Sequence, residues 1–289
     1  MPLERVETIP NLAKRPAESH KGMYGTVLVV AGGRGMAGAA AMAGISALRS
    51  GAGLVRIACP AEVQPTVASF EPSYMTFPLE NDEDGLIRFE PARRALAPML
   101  SSASVLAMGP GLGQSDDMKA LVRWVLESVE IPTILDADAL NALVGSTDLL
   151  ANLKRPVVLT PHPGEFARLT GRTVAEIQAD REGSAASMAK VGNLVVVLKG
   201  NATVVTDGAR VYVNTTGNPG MAKGGSGDVL TGVIAALIAQ HLPPFEAAQL
   251  GVYAHGLAGD MARDQNGEVG MIAGDIVDVL ADAFYHLAG

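Results

Sequence analysis

Asp228 has the setting that most invites a chemical reading. The stretch "NPGMAKGGSGDVLTGVIAAL", Asn218 to Leu237, places it between a run of glycines and a nearly unbroken apolar segment. Inside an apolar helix a carboxylate gains nothing. At the first turn, beside free backbone N–H groups, it can act on whatever the loop holds. Gly224, Gly225 and Gly227 permit conformations that turn several N–H donors toward one point. The helix beginning near Gly227 adds its unsatisfied N–H groups and the positive end of its dipole. Together these make a site for a phosphate. Asp228 is then either a simple helix cap or a base for a substrate hydroxyl.

Four further groups carry chemistry. "KGNAT", Lys199 to Thr203, closes a strand with a cation, a glycine and a hydroxyl, which suits the phosphate or ribose of a nucleotide or, equally, a hairpin turn with a solvated lysine. In "TPHPGE", Pro161 and Pro163 stiffen a turn that holds His162 and Glu165 at a helix start. A first-turn glutamate is favoured by the dipole alone, so a structural role stands beside a ligand-facing one. "GPGLG", Gly109 to Gly113, exposes backbone after a buried strand, where N–H groups can approach a ligand closely. "GGRGMAG" holds Gly33, Gly35 and Gly38 in the dinucleotide-binding spacing. That fingerprint also wants an acidic residue ending the next strand, but here the strand ends "IACP" and Glu62 lies past the proline. It reads better as a tight turn or as a wall for some substrate. No Gly-Lys-Ser/Thr ending occurs, which excludes a Walker loop.

The elements that position these groups alternate. "GTVLVVAGG", "LVRIACP", "SVLAMGPGLG", "PTILDADAL" and "PVVLTPHPGEF" read as strands that end in glycine or polar residues. Helical segments such as "AGAAAMAGISALRSGAG" and "DDMKALVRWVLESV" separate them. Such alternation predicts a parallel sheet with helices on both faces, with ligands beyond the carboxyl ends of the strands. "NLVVVLKG", "ATVVTDG" and "RVYVNTTG" are close together and read as hairpin-connected strands. Three helices follow, over Val229–Gln240, Phe245–Arg263 and Ile272–His286. With no linker and no fixed-period repeat, residues 1–289 read as one domain, of which 1–18 form a polar N-terminal extension.

Composition bounds the rest. Among 289 residues, 48% are hydrophobic and 33 are glycine, which provides for a large aliphatic core. A net charge of −8 without basic runs argues against nucleic acid as a partner. Cys59, the single cysteine, excludes an intrachain disulfide and a cysteine metal cluster, and reads as a small buried apolar residue. The N-terminus lacks a signal-peptide core, and the apolar run Val229–Ala239 is shorter than the ~20 residues a membrane helix needs. A cytoplasmic protein is expected. The small-residue helix over "AGAAAMAGISAL" serves equally for packing on the sheet or on a sister subunit, so a homo-oligomer, such as a tetramer, is one expectation.

Taken together, "HKGMYG", "GAAAMAG", "MGPGLG", "LDADALN", "TPHPGEFARL", "VLKGNATVV" and "NPGMAKGGSGDVLTG" resemble the stand-alone ADP-dependent NAD(P)H-hydrate dehydratases. These are lyases of metabolite repair with the ribokinase-like fold. The resemblance runs from about Ser19 to the C-terminus. "GGSGDVLTG" alone matches the wider kinase superfamily, and His162, where many of those kinases have asparagine, narrows the match. It implies a three-layer α/β/α fold, mostly parallel, with antiparallel edge strands. The implied reaction returns the S epimer of hydrated NADH or NADPH to NADH or NADPH at the expense of ADP, releasing AMP and phosphate. By the same resemblance, Lys199, Gly200, Asn201, Ala202 and Thr203 with Asn218, Gly220, Met221, Ala222, Gly224, Gly225, Ser226 and Gly227 bind the nucleotide. Ala39, Ala40, Gly111, His162 and Asp228 border the hydrated dinucleotide, with Asp228 catalytic. Mg²⁺ accompanies ADP, Glu165 orienting it through water, and a separate NAD(P)H-hydrate epimerase acts upstream. Two other readings stay open: a small-molecule kinase of the same fold, leaving a stable phosphorylated product, and a nucleotide sensor without turnover.

Overall fold

Strand residues alternate between two faces, and here both faces are apolar, so the sheet must be covered twice. The computed structural model describes residues 3–287; Met1, Pro2, Ala288 and Gly289, the ends of the expected unit, lie outside the described residues. Its strands are β1 (Glu4–Arg5), β2 (Thr26–Val30), β3 (Leu54–Pro60), β4 (Met75–Leu79), β5 (Val105–Met108), β6 (Thr133–Leu135), β7 (Val157–Leu159), β8 (Leu194–Leu198), β9 (Val204–Thr206) and β10 (Arg210–Val213). They form a single sheet in the order β1-β10-β9-β8-β7-β6-β5-β2-β3-β4. From β8 to β4 every pairing is parallel, while β8, β9 and β10 run as the expected antiparallel meander.

The helices are α1 (Ala37–Arg49), α2 (Gln64–Phe70), α3 (Phe89–Leu100), α4 (Asp116–Ser128), α5 (Asp138–Asn141), α6 (Pro163–Thr170), α7 (Val174–Ala179), α8 (Arg181–Ala189), α9 (Ser226–Ala239), α10 (Pro244–Gly270) and α11 (Ala273–Leu287). Val27, Val29, Val55 and Ile57 meet α1, α9, α10 and α11 on one face. Leu28, Val30, Leu106 and Met108 meet α3 to α8 on the other. The three-layer α/β/α arrangement is therefore as the sequence implied. Among the described residues no helix is long and apolar enough to cross a membrane.

Two readings change. The N-terminal stretch is not merely an appendage: Glu4 and Arg5 pair with β10, Gln249 donates to the Thr8 carbonyl at 2.9 Å, and Arg15 stacks on the Tyr24 ring at 3.7 Å. And the small residues of α1 face inward within the chain: Ala40, Ala43, Gly44 and Ala47 are buried, bringing α1 against α9 and the sheet. The chain thus supplies an internal partner for the stripe that suggested a subunit contact.

α9 is apolar around almost its whole circumference because it lies between the sheet and other helices, with twelve buried residues from Ser226 to Ala239. Its Gly232 faces the Ala43 carbonyl and the Ser46 hydroxyl of α1, where even a methyl has no room. Gly232→Ala should therefore lower stability by about 2 kcal/mol, the overpacking cost of ~3 less the ~1 that alanine gains in a helix. Urea unfolding would show a lower midpoint at unchanged slope. Gly224→Ala, where a Cβ meets nothing within 4 Å, should leave the midpoint in place.

Candidate functional site

The strands that end in glycine or polar residues bring those ends to one crevice. β2 and β5 are neighbours, and the chain leaves them in opposite directions, toward β3 and toward β6, the position at which α/β sheets open a cleft. The loops after β2 and β5 touch there: Gly32 N–H donates to the Pro110 carbonyl at 2.7 Å. Gly111, at φ 66°, sits so close to Ala39 that a Cβ on it would lie 3.1 Å from the Ala39 methyl. Gly111 and Ala39 therefore form one wall. Ala40 does not line it; at 0% exposure it packs against Gly32 and backs the wall from within. Glu62 is bound to Arg34, 2.7 Å from Nη2, and Arg34 also donates to the Glu83 carbonyl at 2.8 Å. This clamp fixes the "GGRGMAG" loop, the structural role that the missing acidic strand end had left open.

After β7, His162 is the N-cap of α6. Its Nδ1 accepts the N–H groups of Gly164 (3.0 Å) and Glu165 (3.3 Å), and Glu165 Oε2 accepts the His162 N–H at 2.8 Å. This is a reciprocal capping box. It fixes the tautomer: with Nδ1 accepting, the proton of the neutral ring sits on Nε2, 3.4 Å from Glu165 Oε1. The side chain is half exposed, so His162 both caps the helix and faces the crevice.

The centre of the site is a buried ion pair absent from the sequence-level assignments. Asp136 follows β6, is 1% exposed, and accepts from Lys199 Nζ at 2.7 Å and Thr231 Oγ1 at 2.8 Å. One carboxylate thus joins the ends of β6 and β8 to the second turn of α9. Ala137 beside it has φ 48° and ψ −113°, a strained conformation of the kind found at functional sites. The kink lets Asp136 turn inward while Asp138 holds the Gly113 N–H at 2.8 Å. "LDADALN" was visible as a motif, but sequence gives no sign that its first aspartate meets a lysine 63 positions away. Burial pulls the Lys199 ammonium down, yet Asp136, Glu165 and Asp228 together raise it above its ordinary value.

The glycine loop comes next to this pair: a Cβ on Gly227 would lie 3.2 Å from Lys199 Nζ. Gly225, at φ 95°, is the N-cap of α9 and no side chain caps the helix. Apart from the Ser226 N–H, which donates to the Lys223 carbonyl at 3.4 Å, the first-turn N–H groups are thus open, and Asp228 does not act as a cap. Ser226 Oγ is buried without a hydrogen-bond partner. Lys223 Nζ donates to the Val269 carbonyl at 2.7 Å, fastening the loop to the α10–α11 turn. Open amides, an orphan hydroxyl and an adjacent ammonium fit a phosphate.

Other expected nucleotide residues shape the backbone. Asn218 donates to the Gly259 carbonyl (2.8 Å) and Asp260 (3.1 Å) while accepting the Gly220 N–H (3.0 Å). Gly220 is buried, and the Met221 sulfur packs on Gly217 and Gly259 before the turn ends at Ala222. Thr203 Oγ1 donates to the Gly200 carbonyl at 2.9 Å, and Ala202 takes φ 52°, so "KGNAT" is a tight turn with Asn201 at its tip. Arg181, which the sequence did not single out, steadies that turn through the carbonyls of Leu198 (2.8 Å) and Lys199 (3.2 Å). Of these groups, Lys199 and Gly227 come together, Nζ lying 3.2 Å from where a Gly227 Cβ would stand.

Direct ligation of a divalent ion by Glu165 does not fit, which is a different arrangement from the water-mediated contact expected above. Glu165 is 6% exposed, one oxygen is engaged by the His162 N–H, and that oxygen is 4.0 Å from the Lys199 ammonium. Among the described residues no three of His, Cys, Asp and Glu are gathered so as to hold a metal ion.

Asp228 is the tuned group. Burial raises its pKa, Asp136 adds to this, Lys199 opposes it, and the result is about 7. His255 on α10 is pushed the other way, to about 4, by burial, and its Nε2 has no partner. A half-buried carboxyl and a fixed cation beside open amides can take a proton from a hydroxyl while holding a phosphate that the hydroxyl attacks.

Comparison with known proteins agrees with this geometry. The family model described as NAD(P)H-hydrate dehydratase matches residues 27–282. A bifunctional NAD(P)H-hydrate repair enzyme of Moorella thermoacetica is 48% identical over 93% of this chain and 51% of its own. The ADP-dependent (S)-NAD(P)H-hydrate dehydratase of Bacillus subtilis is 38% identical over 93% and 92%. A crystal structure of the ADP/ATP-dependent NAD(P)H-hydrate dehydratase from Bacillus subtilis, co-crystallised with ATP/Mg²⁺, superposes with a TM-score of 0.80 at 35% identity, covering 96% of this chain and 95% of that one. The chain spans about half the length of the bifunctional relatives.

The folded state keeps the Asp228 proton up to about 7, whereas an unfolded chain releases it near the ordinary 3.8. Between those values the folded state binds the extra proton, so stability falls as pH rises across the window. Asp228→Asn removes that loss. It should melt above the wild type at pH 8, with the gap closing toward pH 4. Thermal scans in matched buffers check this; a gap independent of pH would place the carboxyl in water.

Proposed function

The chain belongs to the NAD(P)H-hydrate dehydratase family, and from that membership we propose that it dehydrates the S epimer of hydrated NADH or NADPH, using ADP and releasing AMP and phosphate. The observation that carries the reading is Asp228, a half-buried carboxyl with a pKa of about 7 at the uncapped start of α9. A base poised near neutrality suits a hydroxyl acceptor, and the open amides suit the phosphate it attacks.

In this reading the ring hydroxyl gives its proton to Asp228 as its oxygen attacks the terminal phosphorus of ADP and the bond to AMP breaks. Hydroxide, a poor leaving group, is thereby replaced by phosphate. The ring nitrogen's lone pair then expels phosphate, and loss of a proton from the adjacent carbon restores the ring double bond. The Gly225–Gly227 amides, the end of α9 and Lys199 neutralise the charge that builds on the phosphoryl group. Gly111, Ala39 and His162 border the dinucleotide, His162 offering its Nε2–H. The turns at Lys199–Thr203 and Asn218–Ala222 frame the nucleotide. Mg²⁺ comes with the nucleotide, as its counter-ion. The enzyme works in the cytoplasm, downstream of a separate NAD(P)H-hydrate epimerase.

Purified protein incubated with hydrated NADH and ADP should regenerate the absorbance of reduced nicotinamide and release free phosphate. A stable phosphorylated product would mark a kinase instead, and ADP binding without turnover a sensor. Asp228→Asn should lose ~10²–10⁴-fold in turnover while ADP affinity is kept. Because only the carboxylate accepts a proton, wild-type turnover should fall as pH drops below about 7. A near-normal rate in Asp228→Asn removes Asp228 from this role.

A further inference from the structure

Phosphoryl chemistry beside Asp136, Glu165 and Asp228 needs positive charge, and either a protein-bound divalent ion or the protein's own lysine can supply it. The geometry separates the two. Lys199 Nζ lies 2.7 Å from Asp136 Oδ1 and 4.0 Å from Glu165 Oε2. From the point where a Gly227 Cβ would stand, Nζ is 3.2 Å away and Asp136 Oδ2 3.9 Å. The ammonium therefore occupies the ground between the two buried carboxylates and the loop. An ion held by Asp136 and Glu165 would have to sit there to reach a phosphate, against direct repulsion from the ammonium.

The remaining bonds point the same way. Asp136 Oδ2 is taken by Thr231 and Glu165 Oε2 by the His162 N–H. An ammonium has three N–H donors. Among the described residues only Asp136 accepts one of them, which leaves two for an acceptor in the loop. With 18% of its side chain exposed, Lys199 is held from behind and open in front.

We propose that Lys199 is the permanent cation of the site: Asp136, a positioning residue, holds its ammonium under the Gly225–Gly227 loop in the place a protein-bound divalent ion would take, so that Mg²⁺ enters only on the nucleotide. The inference rests on the reading of that loop as the phosphate site. It makes Lys199 part of the catalytic electrostatics rather than a surface contact to ribose or phosphate.

The test is Mn²⁺ binding to the nucleotide-free full chain, followed by the electron paramagnetic resonance signal of free Mn²⁺. The wild type should leave that signal unchanged until ADP is added. Lys199→Met keeps the apolar stem and removes the charge, freeing the carboxylate pair. It should bind Mn²⁺ at least about tenfold more tightly than the wild type, and Asp136→Asn added to it should abolish the gain. A folded Lys199→Met that gains no Mn²⁺ affinity overturns the proposal. So does a nucleotide-free wild type that binds Mn²⁺ and loses it in Glu165→Gln; this arm decides the matter even where Lys199→Met does not fold. None of these measurements needs turnover, so a failed dehydratase assay and a failed lysine proposal are told apart.

Discussion

The buried pair Asp136–Lys199 is the constraint around which the crevice is built. A carboxylate that is 1% exposed is costly unless its partners are in place, and here the partners come from two other elements, β8 and α9. Removing Lys199 would leave the Asp136 charge buried without its ion-pair partner, a cost of about 3–5 kcal/mol in comparable cases. Through Thr231 the same carboxylate ties the second turn of α9 to the end of β6, next to the Gly225–Gly227 loop. Ala137's strained backbone belongs to the same arrangement, since Asp136 must turn inward immediately after β6 while Asp138 turns out to hold Gly113.

Electrostatics follow from this placement. Burial, the largest effect, and the neighbouring carboxylates raise the cost of ionising Asp228, Lys199 lowers it, and burial with the carboxylates prevails. Among the described residues Asp228 has no hydrogen bond that favours its charged form, whereas Asp136 and Glu165 are held by donors from Lys199, Thr231 and His162. In the proposed reaction Asp228 is therefore the proton acceptor of the group.

Features local in sequence were legible there. Short continuous apolar runs ending in glycine or polar residues, the meander of β8 to β10, and Asp228 in the first turn of an apolar helix all follow from neighbours within a few residues. Features set by distant partners were not. Asp136 looks like any aspartate at a strand end, and Thr231 like a polar exception in an apolar helix; only the fold brings them to Lys199. Arg181 was hidden for the same reason, its acceptors being carbonyls across the sheet edge. That Ala39 lines the wall while the Ala40 side chain is buried behind it depends on helical position, which sequence fixes only to within a residue or so. Asn218 shows the converse. It stands in the loop as expected, but its side chain holds the Gly220 turn and α10, so the loop is preshaped rather than flexible.

The same residues serve fold and site, and the two roles depend on one another. The His162–Glu165 capping box secures α6 and in doing so places a second carboxylate near Lys199 and leaves an Nε2–H beside the crevice. α9 must be apolar nearly all round to sit in the core, yet its first turn must stay uncapped if its amides are to hold an anion. A serine or aspartate at Gly225 would gain only about a few tenths of a kcal/mol over glycine as a cap, against a φ of 95° and a Cβ 2.9 Å from the Ala273 methyl. Its side chain would also compete for the amides proposed to bind phosphate. Glycine at that position, in a left-handed conformation, keeps the donors open, and the deep burial of the remainder of the helix supplies the stability that the missing cap forgoes. A strongly packed helix is thus the condition for a reactive end, which is why the most apolar segment of the chain and its most tuned carboxyl are adjacent in sequence.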